Sequence, residues 1–407
     1  MPRTPIHRPK LGPGTLLAAA LLLAACTGTG ETPSSGTKGS LGQAAPPKRA
    51  FNTIAHRMLD SESEVSPVPA EKYALLDRIL RQAKERVHFN PAEPDPGTKR
   101  AAALAALDAM DQVIMENNIV FPPSDWVTAL GDGLENHTLT EQDLQGVLKN
   151  TFSPRRAAYL KAHRGEVFHY MDCDVLSFLY IAIGQVVGMD LRFVEVPHHA
   201  FVRYYLNDDD WINWETTVPE EQSDGDYRAD HRGITDRAVE EGIFLCARSD
   251  EELWGYFLCC RGMLWESLKT PNYQRAAEDY ARSIDLHPRL QLSRNNLAWL
   301  YVSVPGFWKG PKTDAVQLAL SAVSMDLTDG ENLDTLATCY AEAGDFAKAI
   351  AYENEAINCF EVTNPAAKDD KKEFQNRLDA FKKGKTYIQT LQESAATQPK
   401  PGPATRR

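Results

Sequence analysis

Small and aliphatic residues recur in register over the last third of this 407-residue chain, and this repeat constrains the fold most strongly. Three sets of positions carry the repeat: Ala276, Ala315 and Ala349; Ser283, Ala322 and Ala356; and Ile284, Val323 and Ile357. The last two copies lie 34 residues apart and the first two lie 39 apart, so the five extra residues fit an insertion around 305–308. Such a period predicts stacked helix pairs, because each pair buries its apolar face only against its neighbours.

The period and the residues between these positions resemble tetratricopeptide repeats. Residues 296–300 and 334–345 look like first helices of such repeats, and residues 347–350 look like the start of a second helix. The resemblance implies an all-α solenoid over residues 251–392, with a capping helix near 372–391. It also implies a groove that binds a protein or peptide partner. Because two or three repeats are few, we expect them to stack on the preceding unit.

The N-terminus has the pattern of a targeting segment. A basic start is followed by an apolar run over residues 16–25, and the run ends in Leu23-Ala24-Ala25-Cys26. This ending resembles the lipobox of bacterial lipoproteins. The resemblance implies that residues 1–26 hold a lipoprotein signal peptide, and that a lipid on Cys26 anchors the protein to a membrane on the periplasmic or extracellular side. A plain cleaved signal peptide and an uncleaved anchor are the alternatives.

Both ends of the remaining chain are poor in large apolar residues. Residues 27–50 are mostly Gly, Thr, Ser, Pro and Ala, which predicts a flexible tether, and residues 393–407 predict a disordered tail. The formal net charge of −12 argues against nucleic acid as a partner. The cysteines show no regular secreted spacing, so they do not predict a disulfide framework.

Residues 51–245 have the pattern of an α+β domain. Apolar periodicity predicts helices over 71–87 and 99–115, which form a helical lobe. A strongly apolar helix is predicted over 172–187, followed by strands at 191–196, 200–206 and 211–217. Four polar residues at 207–210 join the last two strands and predict the turn of a hairpin.

Three side chains of this domain are candidates for chemistry. Cys173 begins the apolar helix directly after a candidate N-cap, Asp172, and the positive end of the helix dipole favours a thiolate there. His199 begins the second strand and can act as a base near neutral pH. Glu215 lies on the third strand, where it can accept a hydrogen bond from the imidazole. Asp172 and Asp174 oppose thiolate formation.

The order and spacing of these elements over residues 155–217 resemble the transglutaminase-like superfamily. The resemblance rests on a Cys helix, on a strand with His199-Ala200-Phe201-Val202, and on a strand with Trp211-Ile212-Asn213-Trp214-Glu215-Thr216-Thr217. It implies a papain-like fold and acyl transfer through a thioester. Cys173 would be the nucleophile, His199 the general base and acid, and Glu215 the orienting acid. His199 is preferred to His198 because Ala-Phe-Val follows it, as in the family.

Two alternatives remain open at this level. The family's third residue is usually Asp rather than Glu, and Asn213 lies on the same face as Glu215, so Asn213 is an alternative orienting residue. The chain could also be an inert transglutaminase-like and tetratricopeptide scaffold instead of a peptidase, amidase or acyltransferase. No cofactor and no metal site is predicted, since Asp172 as an N-cap separates His169 from the helix of Cys173.

Overall fold

A computed structural model describes residues 49–122, 129–150, 153–363 and 368–397. The predicted signal peptide, Cys26 and nearly all of the tether lie outside the described residues. The described chain is mixed α/β: it is mostly helical and contains a small antiparallel sheet.

The chain first forms three helices, α1 (Ile54–Glu62), α2 (Ala70–Arg86) and α3 (Pro96–Glu116). The predicted apolar stripe of α2 is buried: Tyr73, Leu76, Ile79, Leu80 and Ala83. The second and third helices therefore begin and end within three residues of the positions that periodicity predicts.

A second, smaller sheet follows that the sequence did not predict. It contains β1 (Ile119–Val120), β2 (His137–Thr138) and β3 (Val167–Tyr170) in the order β1-β3-β2. The helices α4 (Leu130–Gly133), α5 (Glu141–Asn150) and α6 (Pro154–Ala162) lie between these strands. Two-residue strands carry no readable alternation, so residue patterns cannot reveal them.

Helix α7 (Cys173–Val187) is the apolar helix that the sequence predicts. Its N-cap is Asp172, whose side chain accepts a hydrogen bond from the backbone N–H of Val175 at 3.3 Å. The helix ends at Gly188, which has a left-handed φ of 79° that glycine adopts without strain. Because α7 is apolar on nearly all sides, it lies in the centre of the core.

The main sheet has four antiparallel strands in the order β4-β5-β6-β7. They are β4 (Leu191–Val196), β5 (His199–Asn207), β6 (Asp210–Glu215) and β7 (Glu220–Gln222). The first three agree with the predicted strands, and Asn207 pairs with Asp210 across the predicted hairpin turn. The short strand β7 was not predicted.

The two faces of the main sheet are covered by different parts of the chain. Helix α7 covers one face, where Phe178 stacks on Phe193 with ring centroids 5.5 Å apart. The other face is covered by α8 (Asp224–Asp230), α9 (Asp236–Glu240) and the segment after them. On this face Phe201 stacks on Tyr227 with centroids 4.0 Å apart.

The rest of the described chain is helical. Its helices are α10 (Asp250–Ser267), α11 (Tyr273–Leu286), α12 (Gln291–Ser303), α13 (Lys312–Met325), α14 (Gly330–Glu342), α15 (Phe346–Thr363), α16 (Lys368–Lys382) and α17 (Tyr387–Thr397). The alanines at the repeat positions, Ala276, Ala315, Ala322, Ala349 and Ala356, are fully buried. Successive helices pack on one another.

The C-terminal end differs from its prediction in two ways. The predicted capping helix near 372–391 is two helices, α16 and α17, because Gly384 has a left-handed φ of 67° and interrupts the helical path. Helix α17 also continues to Thr397, five residues beyond the predicted end of order at 392. Ile388 is held there, because its backbone N–H donates to Glu342 of α14 at 3.0 Å.

The main sheet and the helices α10, α11 and α12 share one hydrophobic core. A buried polar cluster also joins them: Glu195 of β4 accepts hydrogen bonds from Arg248 and from His287, each at 2.6 Å. Burial alone would raise the pKa of Glu195, but Arg248 and His287 outweigh burial and lower the pKa to about 2. In the described parts of the chain, every helix is too short or too polar to cross a bilayer.

Candidate active site

His199 and Glu215 form a hydrogen-bonded pair at one end of the main sheet. The Nε2 atom of His199 lies 2.6 Å from Oε2 of Glu215. Both side chains are shielded, since Glu215 is fully buried and the His199 side chain is 7% exposed. Because Nε2 donates to the carboxylate, Nδ1 is the ring nitrogen that can accept a proton.

Further donors hold Glu215 in place. Its Oε1 accepts from the backbone N–H of Thr217 at 2.9 Å and from the Thr217 hydroxyl at 2.5 Å. The Tyr227 hydroxyl donates to Oε2 at 3.1 Å. Burial alone would raise the pKa of Glu215, but His199 and Thr217 outweigh it and lower the pKa to about 2. The carboxylate is therefore ionised at neutral pH and orients the imidazole.

A second histidine covers the first. The ring of His231 stacks on that of His199 with centroids 5.5 Å apart and planes 10° apart. Burial, followed by the neighbouring His199, lowers the pKa of His231 to about 3. His231 is thus neutral at physiological pH, and its Nδ1 donates to the carbonyl of Pro197 at 3.1 Å. Its uncharged ring packs against His199 without competing for Glu215.

Asn213 does not occupy the orienting position that the sequence left open for it. Its Oδ1 accepts from Arg203 at 2.7 Å, and its Nδ2 donates to Asp224 at 2.7 Å. Arg203 also donates to Asp224 at 2.6 Å, which closes a buried network on the same face of the sheet. Glu215 lies two residues further along β6, and its carboxylate is the group bonded to His199.

An arginine of α6 fixes the segment that follows Glu215. Arg156 donates to the carbonyls of Thr217 at 3.0 Å and Thr216 at 3.4 Å. It also forms an ion pair with Asp111 of α3, and both side chains are almost fully buried. The helical lobe thereby positions Thr217, whose backbone N–H and hydroxyl both donate to Glu215.

The candidate nucleophile is in a closed environment. Cys173 is the first residue of α7, as predicted, and only 2% of its surface is exposed. Its thiol donates to Oδ1 of Asp174 at 3.1 Å. A carboxylate beside the sulfur opposes the helix dipole, because negative charge disfavours the thiolate.

Asp174 links the thiol to α10. Its Oδ2 accepts from the Tyr256 hydroxyl of α10 at 2.6 Å, so one carboxylate bonds both the thiol and the phenol. Tyr256 itself packs on Phe193 with ring centroids 4.8 Å apart. The first turn of α7 is therefore held by a residue from outside the predicted α+β domain.

Cys173, His199 and Glu215 lie at the same end of the sheet. The helix of Cys173 packs on one face of the sheet, and the side chains of His199 and Glu215 lie on the other. Strand β4 runs back along α7, since Gly184 of the helix lies against Leu191 at the start of β4. Alternation from Phe201 puts His199 on the face covered by Tyr227, whereas α7 covers the opposite face.

A small cavity of about 60 Å³ lies at this end. Its walls include His199 and His198 from the β4–β5 turn and Tyr256 from α10. Residues of α12 and α14 form the opposite wall. The cavity thus connects the imidazole with the tyrosine that bonds Asp174, next to Cys173.

His198 takes a different position from His199. It has a left-handed φ of 57° in the tight β4–β5 turn, and its Nε2 lies 4.0 Å from Oδ2 of Asp329. Asp329 caps the N-terminus of α14 by accepting from Glu331 and Asn332. The sequence preference for His199 over His198 agrees with the bond to Glu215.

The cysteines and the possible metal ligands give no second site within the described residues. No group of three His, Cys, Asp or Glu side chains there is arranged to hold a metal ion. His169 lies on β3 and is bonded through Nδ1 to the carbonyl of Glu135 at 2.9 Å, away from the helix of Cys173. No disulfide joins two of the six described cysteines; four of them are buried, whereas Cys246 and Cys359 are partly exposed.

Sequence reasoning missed several residues of the site. Tyr227, His231 and Arg156 all contact it from elements that carry no family motif. Tyr256 and the cavity wall come from the helical array, more than 80 residues away from Cys173 in sequence. A single sequence gives no signal for such contacts, because they arise from packing between elements.

No family model matches this chain, and no curated protein matches it. The resemblances to transglutaminase-like domains and tetratricopeptide repeats therefore depend on the residues quoted above and on their placement.

Proposed function

We propose that the protein is a transglutaminase-like cysteine hydrolase or acyltransferase that acts on amide bonds. The observation that carries this proposal is the hydrogen bond between His199 and an ionised, fully buried Glu215 at 2.6 Å. A buried carboxylate that orients an imidazole is the arrangement of a nucleophile–base–acid triad. Cys173 begins a helix at the same end of the sheet and supplies the only thiol in the family motif.

The reaction would proceed in two steps. His199 accepts the thiol proton of Cys173 through Nδ1, and the sulfur attacks the carbonyl carbon of the substrate amide. The protonated imidazole then gives the proton to the leaving amine as the C–N bond breaks, which leaves a thioester. Water or a second amine attacks the thioester, and the thiol regains its proton. The backbone N–H of Cys173 is a candidate oxyanion donor.

This chemistry requires a conformational change near Cys173, because a residue that is 2% exposed does not admit a substrate carbonyl. The first turn of α7 is held closed by the bonds from Cys173 and Tyr256 to Asp174. We propose that these bonds break when the substrate enters the neighbouring cavity.

Alkylation by iodoacetamide, followed residue by residue with mass spectrometry, tests the enzyme proposal. We expect the enclosed Cys173 to react at neutral pH at a rate that depends on His199, and the partly exposed Cys246 serves as an internal reference whose rate stays constant. Changing His199→Ala should slow alkylation of Cys173 about tenfold or more, since the base is lost.

The adjacent His198→Ala is the matched control, because His198 faces Asp329 rather than Glu215. It should leave the rate at Cys173 unchanged. If the rate at Cys173 relative to Cys246 is the same in both histidine variants, the catalytic proposal is wrong.

A second candidate function is an inert scaffold of the cell envelope. The burial of Cys173 favours it, because an enclosed thiol bonded to a carboxylate is stable without a catalytic role. In this case the repeat helices would bind a protein partner, and the α+β unit would only support them.

Both candidates share a proposed location. The lipobox-like ending at Cys26 supports a lipid anchor on the outer side of a bacterial membrane, with residues 27–50 as a spacer. Incorporation of labelled palmitate into the wild type but not into Cys26→Ser tests this proposal.

A further inference from the structure

Three side-chain amides line the cavity beside His199 and have atoms without a protein partner. They are Gln291 and Asn295 of α12 and Asn332 of α14. The Oε1 atom of Gln291, the Oδ1 atom of Asn295 and the Nδ2 atom of Asn332 are all shielded from bulk solvent and unbonded. Asn295 is 3% exposed and Asn332 is 2% exposed, so an unbonded polar atom in either side chain is costly.

The unbonded atoms include both acceptors and a donor. A ligand that satisfies both kinds must itself carry an N–H donor and a carbonyl acceptor. A peptide group has one of each, in fixed relative positions. The side-chain oxygens of Gln291 and Asn295 can accept from the N–H, and Nδ2 of Asn332 can donate to the carbonyl.

The charges around the cavity favour a neutral ligand over an anion. Glu195, Asp329 and Glu331 line the cavity, and the one arginine in its wall, Arg289, lies 3.5 Å from Glu252. Glu195 is ionised, because Arg248 and His287 lower its pKa to about 2. A carboxylate would meet these acidic groups, whereas an uncharged peptide group would not.

We propose that Asn295 and Asn332, assisted by Gln291, bind one peptide group of the substrate next to His199. The proposal rests on the proposed function in that it makes the substrate a peptide, held between the β4–β5 turn and the first helices of two repeats. The small volume of the cavity, about 60 Å³, suits backbone better than a large side chain. Asn295 and Asn332 are then specificity-determining residues, because they form hydrogen bonds with the substrate backbone and contact no reacting atom.

Saturation-transfer NMR tests this proposal without catalysis. The protein carries Cys173→Ala, so that no acyl transfer occurs, and the probe is acetyl-trialanine amide. A second probe replaces every backbone N–H by an ester oxygen and ends in a methyl ester instead of the amide. We expect the peptide to receive saturation from the protein and the ester analogue to receive roughly tenfold less, since it lacks the donors.

Two variants in the same background locate the contact. Asn295→Leu combined with Asn332→Leu should reduce saturation of the peptide roughly tenfold, because the leucines keep the volume but lose the polar atoms. Asn354→Leu, an exposed amide on α15, is the matched control and should leave binding unchanged. Melting temperatures show whether the double variant folds, and we expect its melting temperature to equal or exceed that of its parent.

The outcomes separate this proposal from the catalytic one. Equal saturation of peptide and ester, or unchanged binding in a folded double variant, overturns it and makes the unbonded amides sites for ordered water only. Binding that depends on Asn295 and Asn332 supports it even if Cys173 proves unreactive towards iodoacetamide. In that case the peptide site stands and only the catalytic proposal fails.

Discussion

The two halves of the proposed active site differ in how their polar groups are satisfied. On the sheet, Glu215 accepts four hydrogen bonds, from His199, Tyr227 and two groups of Thr217. At the start of α7, the thiol of Cys173 donates to Asp174, a carboxylate that disfavours the thiolate. The imidazole is oriented by Glu215, whereas the thiol is enclosed.

This difference separates the residues that should control stability from those that should control the reactivity of the thiol. A pre-oriented base needs no rearrangement, so its network should behave as a rigid part of the fold. In the proposed reaction the thiol needs to be released from Asp174, which also accepts a hydrogen bond from Tyr256 of α10. We therefore expect changes on the Glu215 side to affect stability most, and changes on the Asp174 side to affect reactivity most.

Replacing Glu215 should have the largest effect. Glu215→Gln removes a buried anion from His199 and leaves one amide to satisfy four donors. We expect the free energy of unfolding in urea to fall by about 3 kcal/mol, since the buried donors of His199, Tyr227 and Thr217 lose their charged acceptor. The exposed Glu220→Gln on β7 is the control and should change stability by less than about 0.5 kcal/mol. A loss below about 1 kcal/mol for Glu215→Gln would mean that the network is not rigid.

The contribution of Glu215 should disappear in acid. Its pKa is about 2 in the folded protein against an ordinary 4.5, so the carboxylate stabilises the fold fully above 4.5 and loses this effect as the pH falls through 2. The stability difference between wild type and Glu215→Gln should therefore shrink steadily from about pH 5 to about pH 2. Glu195 also has a pKa of about 2, but it is present in both proteins and cancels. A difference that stays constant with pH contradicts the assignment.

Removing the charge beside the thiol should increase reactivity. In Asp174→Asn the carboxylate that opposes the thiolate is replaced by a neutral amide, which can still accept from Tyr256. We expect the rate of iodoacetamide alkylation at Cys173 to rise about tenfold at neutral pH. Asp190→Asn, an exposed aspartate at the other end of α7, should leave the rate unchanged. A slower reaction in Asp174→Asn would show that Asp174 assists the sulfur rather than masking it.

The smallest effect concerns the cavity between the two halves. Asn332→Leu removes an unbonded, buried amide nitrogen, and we expect the free energy of unfolding to rise by about 1 kcal/mol. The contrasting variant is Asn117→Leu, because the buried Asn117 bonds Arg78, Gln82 and the carbonyl of Val113. It should lose about 1 kcal/mol or more. If both variants lose stability alike, Asn332 is satisfied by an ordered water in the folded protein.

Local patterns in the sequence predicted the elements that carry the candidate site. The N-cap Asp172, the apolar run of α7 and Gly188 specify that helix through contacts within a few residues of each other. Alternation specified the strands of His199 and Glu215, and it placed Glu215 and Asn213 on one face. The choice between these two side chains was not predictable, because it depends on Arg203 and Asp224 taking up the amide of Asn213.

The sequence by itself determined where the helices and main strands form, and it placed a thiol, an imidazole and a carboxylate at their ends. Only the tertiary structure decided that Cys173 is enclosed, that Tyr256 from a distant helix holds Asp174, and that α12 and α14 close the cavity beside His199. The physical reason is range. Caps, periodicity and alternation act between residues a few positions apart, whereas burial and long-range hydrogen bonds depend on which surfaces the whole chain brings together.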